Sequence, residues 1–180
     1  MADNIDVYLV RHGQAELPWS QAKNAGLSEI GQQQAENVAN DLAPLKSLQL
    51  ISSPLLRAQQ TAMPLGRRWE VPTQIDDRYQ EVPLTSNTAE RKAWLVGVMS
   101  CRWQEVNENV TAWRNTAWDA LLALERSSVI FTHFMLINAM VTRATKDQRL
   151  VCFEPDYASV TRLRIAAKGE CEVLSIGKSI

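Results

Sequence analysis

Two short apolar runs, each followed by a histidine, constrain the fold of this chain more than any other feature. Val7–Val10 is followed after one residue by His12, and Val129–Thr132 is followed directly by His133. Such runs of β-forming residues predict strands that are buried on both faces, as in a parallel sheet. The chain has no other histidine. Their shared position at strand ends favours a common role for the pair.

Helical patterns and a further strand lie between the two runs. Apolar residues recur at helical spacing from Ser28 to Leu42 and predict a first amphipathic helix. Leu48–Ile51 predicts a second buried strand. Ser53 predicts the N-cap of a second helix with Pro54 at its first position, and Pro64 predicts the end of that helix or a kink in it.

The rest of the chain continues this alternation. A proline-containing stretch from 71 to 85 predicts a loop, and residues 160–165 alternate apolar with polar side chains as in a half-exposed strand. The predicted elements, in chain order, are a short strand at Gln74–Ile75, helices at Ala89–Met99, Val110–Leu124 and Leu136–Val141, and an antiparallel pair of strands at Val160–Ile165 and Glu172–Ile176.

Alternating strands and helices predict an α/β fold, a single-domain α/β/α sandwich over residues 1–180 with a mostly parallel central sheet. The length suits one domain, and a chain with 46% hydrophobic and 22% charged residues has the composition of a folded globular protein. Open α/β sheets bind ligands at the carboxyl ends of their strands. Both histidines are predicted to lie there.

Charge and cysteine content exclude several classes of partner. Nineteen Lys and Arg against twenty Asp and Glu give a net charge of -1, which argues against a large nucleic-acid-binding surface. The acidic N-terminus lacks the pattern of a signal peptide, and no run reaches the ~18 apolar residues of a membrane span. Three cysteines without a C-x-x-C pair predict reduced core thiols. We therefore expect a cytoplasmic protein without a metal, another cofactor, a nucleic-acid partner or a membrane partner.

Two arginines are placed to bring positive charge to the histidines. Arg11 directly precedes His12, and Arg57 lies near the start of the second predicted helix, where helix N-termini attract anions. A guanidinium directs two N–H groups at phosphate oxygens, so two together suit a tetrahedral dianion better than a single carboxylate. Gly13 predicts either a turn after the strand or a place where a ligand lies against the backbone.

Three segments give the chain a family resemblance. Residues 9–13 read L-V-R-H-G, residues 27–35 read L-S-E-I-G-Q-Q-Q-A, and residues 52–62 read S-S-P-L-L-R-A-Q-Q-T-A. In this order they resemble the R-H-G signature, the L-T/S-x-x-G-x-x-Q-A helix start and the S-P-L-x-R-A-x-Q-T-A segment of the histidine phosphatase superfamily, also called the phosphoglycerate-mutase-like family. The resemblance implies the fold and the phosphoryl-transfer chemistry of that family.

The resemblance also implies a role for each candidate residue. His12 would be the nucleophile that becomes phosphohistidine, Arg11 and Arg57 would bind the phosphoryl group, and His133 would complete the pocket as a further donor. These roles suit the side chains, because a neutral imidazole offers one lone pair for attack while a hydrogen bond fixes its other nitrogen. Positive groups would counter charge on the equatorial oxygens.

A carboxylic acid that protonates the leaving oxygen completes the family's site, and Glu81 resembles it in position. The W-E-G continuation common in the family is absent here, and Asp76 and Asp77 are alternative candidates nearby. The chain also carries Phe134 where many members have glycine, and Pro18 where mutases have asparagine. The phosphate-binding residues therefore follow the family pattern more closely than the substrate pocket does.

Four tryptophans lie between the candidate acid and the second histidine, in the segment that caps the pocket of relatives. They are candidates for the wall of an aromatic or nucleoside site, although Trp113 lies on an apolar helical stripe and is predicted to pack in the core. The four are Trp94, Trp103, Trp113 and Trp118.

The leading functional hypothesis is a metal-independent phosphatase that acts on a small phosphorylated metabolite or a phosphoprotein. A phosphoglycerate-mutase-type phosphotransferase is the alternative enzyme, but the chain is short and lacks the basic inserts that mutases tend to carry. A catalytically weak phosphate-binding regulatory module is the third hypothesis. The sequence predicts no particular oligomeric state.

Overall fold

The computed structural model describes residues 4–18, 21–46, 48–83, 88–166 and 169–177, and a six-stranded sheet lies at the centre of this part of the chain. None of its helices is long and apolar enough to cross a bilayer. The strands are β1 (Ile5–Arg11), β2 (Gln49–Ser52), β3 (Gln74–Ile75), β4 (Ser128–Thr132), β5 (Val160–Ile165) and β6 (Cys171–Ser175). The helices are α1 (Glu29–Leu42), α2 (Leu56–Trp69), α3 (Thr88–Gly97), α4 (Glu108–Leu122) and α5 (Phe134–Ala144), with 3-10 turns at Asp77–Tyr79, Val98–Ser100 and Trp103–Glu105.

The strand order β3-β2-β4-β1-β5-β6 makes the sheet mostly parallel. The pairs β1–β4, β2–β4 and β2–β3 are parallel, whereas β5 pairs antiparallel with β1 and with β6. In the β1–β4 register, Arg11 lies opposite Thr132. The carboxyl ends of these two central strands therefore stop side by side, each one residue before a histidine.

Helices cover both faces of the sheet. Tyr8 and Val10 of β1 pack with buried residues of α1 and α2, while Val7 and Leu9 pack with buried residues of α4 and α5. Alternate residues of one buried strand thus enter two different cores, which explains why its sequence is a continuous apolar run. The predicted α/β/α sandwich with a mostly parallel sheet is confirmed, as is the antiparallel pair at its edge.

The start of α2 differs from the sequence prediction. Leu55 occupies the N-cap position without a side-chain cap, and Ser53 lies outside the helix. The Ser53 hydroxyl instead contacts the His133 ring at 2.7 Å and accepts a hydrogen bond from the Leu55 N–H at 3.3 Å. The contact between Ser53 and His133, which directly follows β4, was not predictable from local sequence, because the two residues lie far apart along the chain.

Pro64 neither ends nor limits α2, which continues to Trp69. A proline removes one helical hydrogen bond, yet Ala62, Pro64 and Leu65 are all buried. Burial of this face against the sheet offsets the missing bond, so the prediction that Pro64 ends the helix is wrong. A kink at Pro64 stays a prediction.

The loop after β1 and the first turn of α1 touch through their main chains. A Cβ atom on Gly13 would lie 2.6 Å from the Gly31 carbonyl oxygen, and one on Gly31 would lie 2.0 Å from the Gln14 carbonyl oxygen. Real Cβ atoms do not approach that closely. The backbone of α1 is therefore what requires glycine at position 13, rather than the turn or ligand contact expected from sequence.

We predict that Gly31→Ala lowers the free energy of unfolding by about 1–3 kcal/mol or more, because backbone atoms must move to admit the methyl group. Gly97→Ala is the matched control, since both glycines are helical and a Cβ on Gly97 would meet nothing within 4 Å. The control should be neutral or stabilise by about 0.4–1 kcal/mol. Urea unfolding of both variants measures the difference, and equal stabilities would contradict the packing argument.

Candidate active site

His12 and His133 meet at the end of the central strands. The His12 backbone N–H donates to the Thr132 carbonyl at 3.0 Å, which extends the β1–β4 ladder by one residue. The two imidazole centroids lie 5.2 Å apart, and both residues are buried. The sequence prediction that the two strand ends bring the histidines together is confirmed by this geometry.

The partners of His12 define its tautomer. Nδ1 lies 2.7 Å from the Gly13 carbonyl oxygen, which can only accept a hydrogen bond. Nε2 lies 3.1 Å from the Nε of Arg57, which can only donate. The neutral ring therefore carries its proton on Nδ1 and presents the Nε2 lone pair to the arginine. Burial lowers the pKa of His12 well below its usual value, and the charges of Arg57 and Arg11 lower it further.

Arg57 is a nearly fully buried cation held mostly by neutral groups. Its Nη1 donates to the Lys23 carbonyl at 3.0 Å, and its Nε donates to His12. The Thr61 hydroxyl donates to the Arg57 carbonyl at 2.6 Å and accepts from the Gly13 N–H at 3.0 Å. One threonine thereby connects the first turn of α2 to the loop that carries the imidazole.

Arg11 is held by a carbonyl and two aromatic rings. Its Nη1 donates to Pro155 O at 2.7 Å, and its guanidinium carbon lies 3.9 Å from the centroid of the Tyr157 ring and 5.3 Å from that of Phe134. Cation–π contacts of this kind hold a guanidinium in place without neutralising it. The buried Arg11 Nε has no hydrogen-bond partner among the described residues, so one donor remains for a ligand.

His133 has one engaged and one unpartnered nitrogen. Its Nε2 lies 2.7 Å from the Ser53 hydroxyl oxygen, whereas its Nδ1 is buried with no partner within the described part of the chain. Burial lowers the pKa of His133 well below its usual value, with further lowering from His12 and Arg57. Buried polar atoms are normally paired, so this nitrogen indicates a place for a ligand atom.

Glu81 is the carboxyl group that shares the site. One of its oxygens accepts from the Val82 N–H at 3.0 Å, and the other lies 3.5 Å from the Met135 N–H in the first turn of α5. Burial raises the pKa of Glu81, although the Val82 N–H and the charge of Arg57 act in the opposite direction. The group is thus biased toward its protonated form, as a proton donor requires.

The two other acidic candidates do not line the cleft. Asp76 accepts from the Arg78 guanidinium at 2.6 Å and caps the 3-10 turn through the Arg78 N–H, and this hydrogen bonding lowers its pKa. Asp77 is exposed. Of these three carboxyl groups, Glu81 is the one that lines the cleft.

A cleft of about 700 Å³ opens over the two arginines and His12. Within the described ranges, no three His, Cys, Asp or Glu side chains lie close enough together to hold a metal ion. Arg11, His12, Arg57 and Glu81 line this cleft, whereas the fully buried His133 is not part of the lining. The other lining residues are Gln14, Ala15, Glu16, Leu17, Pro18, Ser28, Val98, Met99, Phe134, Met135, Glu154 and Tyr157.

The aromatic wall of the cleft comes from Phe134 and Tyr157, and the four tryptophans do not line it. Trp103 and Trp113 are buried, and their indole N–H groups donate to Thr142 and to the Gln80 carbonyl. The remaining pair, Trp94 and Trp118, packs partly buried against the same core. Core packing, predicted for Trp113, is therefore the arrangement of all four.

Glutamines of the family-like segments build the loop beneath the site. The Gln34 side chain accepts from the Gln14 N–H at 2.8 Å, and the Gln60 side chain accepts from the Leu27 N–H at 2.7 Å. These residues do not touch the imidazole. They satisfy backbone groups in the segment that joins β1 to α1, so the motif encodes a scaffold as well as a pocket.

The model of the histidine phosphatase superfamily (branch 1) matches residues 7–177. The chain belongs to this superfamily.

Among curated proteins, this chain is 38% identical over 86 residues to the glucosyl-3-phosphoglycerate phosphatase of Mycolicibacterium vanbaalenii. It is also 35% identical over 80 residues to an uncharacterized protein of Mycobacterium tuberculosis. Each alignment covers 42% of this chain, but only 36% and 40% of the respective relatives. The chain thus matches well under half the length of these relatives.

Solved structures share the fold along nearly the whole chain. The native mycobacterial glucosyl-3-phosphoglycerate phosphatase aligns with a TM-score of 0.78 and 22% identity, covering 98% of this chain and 100% of its own. Phosphoserine phosphatase from Entamoeba histolytica in complex with 3-phosphoglyceric acid aligns with a TM-score of 0.74 and 20% identity, covering 97% and 98%. These likenesses establish the architecture of the chain.

We predict that both imidazoles of the folded protein are neutral at pH 6, and that His12 carries its proton on Nδ1. With only two histidines in the chain, ¹⁵N chemical shifts of the ring nitrogens measure this directly. The same rings in urea-unfolded protein should titrate near the ordinary value of about 6.5. An imidazolium at pH 6 in the folded state, or an Nε2–H tautomer of His12, would contradict the assigned hydrogen bonds.

Proposed function

We propose that this chain is a phosphatase that hydrolyses phosphomonoesters through a phosphohistidine on His12. The observation that carries the proposal is the Nε2 lone pair of His12, oriented by Gly13 and facing the guanidinium of Arg57 at 3.1 Å. A nucleophile with its other nitrogen fixed, beside permanent cations, is what transfer of a phosphoryl dianion requires.

Binding begins with the two arginines. The phosphoryl oxygens accept hydrogen bonds from the free N–H groups of Arg11 and Arg57. The Arg57 Nε–H, which in the free protein donates to the lone pair of His12 Nε2, then turns toward the substrate. The unpartnered Nδ1 of His133 supplies a further contact when it carries the ring proton. These donors stabilise charge on the equatorial oxygens during transfer.

In the first chemical step, Nε2 attacks phosphorus and the bond to the ester oxygen breaks. The leaving alkoxide takes the proton of Glu81, whose raised pKa keeps that proton available. Positive charge that develops on the imidazole is stabilised by the hydrogen bond from Nδ1–H to the Gly13 carbonyl. The products of this step are a free alcohol, a phosphohistidine and a Glu81 carboxylate.

In the second step, water attacks the phosphohistidine. Glu81 accepts the proton of the water as the N–P bond breaks, and the electron pair of that bond returns to Nε2. Inorganic phosphate leaves, and both residues regain their starting states. Every proton transfer in the cycle is assigned to residues of this chain, so the proposed reaction is metal-independent.

The proposed substrates are small phosphorylated metabolites or phosphoproteins of the cytoplasm. Small molecules are the first class to assay, because the names of the similar proteins refer to glucosyl-3-phosphoglycerate and phosphoserine. Net release of phosphate, rather than exchange between positions of one substrate, distinguishes this function from that of a mutase.

We predict that p-nitrophenyl phosphate labels His12, giving a phosphoenzyme that is acid-labile and alkali-stable, and that turnover persists in EDTA. His12→Ala should lower kcat/KM by at least about 10³-fold, since losing a nucleophile costs up to about 10⁶-fold in well-studied hydrolases. Mass spectrometry of the trapped enzyme locates the phosphate, and the unfolding midpoint controls for folding. Near wild-type turnover by the variant would refute the mechanism, and binding of phosphate without turnover would indicate a regulatory module.

We predict that Glu81→Gln slows hydrolysis of alkyl phosphates by about 10²- to 10⁴-fold but largely spares phosphoenzyme formation from p-nitrophenyl phosphate. An alkoxide needs a proton to leave, whereas p-nitrophenolate does not. Asp77→Asn is the control, because this exposed carboxylate lies outside the cleft. Pre-steady-state bursts on both substrates measure the step, and a selective defect in Asp77→Asn instead would reassign the acid.

A further inference from the structure

The cleft beyond the phosphoryl position is acidic and apolar. Glu16 and Glu154 are exposed carboxylates on its lining. Among the described residues that line the cleft, the basic side chains are those of Arg11 and Arg57. The described lining of the cleft thus combines the two arginines with two exposed carboxylates.

The two arginines are positioned for the phosphoryl group and not for a second anion. Arg57 is nearly fully buried and contacts His12, while one face of Arg11 is covered by the ring of Tyr157 at 3.9 Å. Burial lowers the pKa of Arg11.

Part of the described lining is apolar and offers no charged partner to a second anion. Leu17, Pro18, Val98 and Met99 lie along the same cleft and are apolar. A carboxylate placed against them would lose water without gaining a basic partner, and it would also face two like charges. A neutral alcohol group meets neither penalty.

We propose that the cleft selects phosphomonoesters whose alcohol portion has no acidic group, and that Glu16 and Glu154 discriminate against substrates bearing a carboxylate there. This inference rests on the proposed phosphatase function and narrows its substrate class. It predicts that phosphoglycerates, which carry a carboxylate, are poorer substrates of this chain than neutral esters.

A matched pair of substrates tests the discrimination. Glycerol 3-phosphate and 3-phosphoglycerate share a three-carbon skeleton and differ at carbon 1. This carbon belongs to a neutral hydroxymethyl group in glycerol 3-phosphate and to a carboxylate in 3-phosphoglycerate. We expect kcat/KM to favour glycerol 3-phosphate by at least about tenfold at low salt. The ratio should shrink as ionic strength rises, because salt screens exposed charges beyond a Debye length of about 10 Å at 0.1 M.

Charge-neutralising variants assign the effect to the cleft wall. Glu16→Gln and Glu154→Gln should each reduce the preference by about two- to fivefold, the scale expected for exposed charges, and the double variant should reduce it further. Glu125→Gln is the matched control, since this exposed carboxylate lies between α4 and β4, at the end of the sheet away from the histidines. The control should keep the wild-type ratio.

The outcomes separate the inference from the function on which it rests. Turnover of p-nitrophenyl phosphate combined with equal or better use of 3-phosphoglycerate would overturn the inference and leave the phosphatase intact. A preference that the double variant changes no more than Glu125→Gln does would also overturn it. Failure to hydrolyse any of the three esters would refute the proposed function and this inference together.

Discussion

A buried guanidinium without an ion-pair partner is the constraint on which the site depends. Arg57 is 2% exposed, and within the described chain it forms no salt bridge at 4 Å or less. Burying a charge in this way is unfavourable unless other groups solvate it. The Lys23 carbonyl and the His12 lone pair do so, and Thr61 holds the first turn in place. The fold thus carries a permanent cation whose best partner is a dianion.

The parts of this site that sequence predicts are those encoded by local patterns. An apolar run of four residues indicates a strand buried on both faces, so the strands and the histidines that follow them could be placed without a structure. Parallel order then brings His12 and His133 together. Arg57 followed from its position at the start of a helix, and Glu81 from family resemblance with Asp76 and Asp77 as alternatives.

The parts that sequence did not predict depend on contacts between distant segments. Ser53 was predicted to cap α2, but it bonds to His133 across the sheet. Glycine is required at position 13 because the backbone of Gly31 lies against it. The hydrophobic periodicity of the sequence does not indicate such a contact between two backbone segments. Tyr157 stacks on Arg11 from a loop near the other end of the chain. Each of these features is a tertiary contact, and a pattern within one segment carries no information about its partner.

Two backbone segments of the chain cross in close contact at Gly13 and Gly31. This contact separates a region of the molecule that does not tolerate amino-acid substitution from one that does. Because carbonyl oxygens occupy the space that a methyl group would need, few substitutions there can be accommodated by repacking. Another part of the cleft lining consists of side chains such as Leu17 and Met99, and side chains on this wall can be exchanged one at a time. Substitutions that adapt the site to new phosphate esters therefore fall on that wall, and the catalytic residues can stay the same.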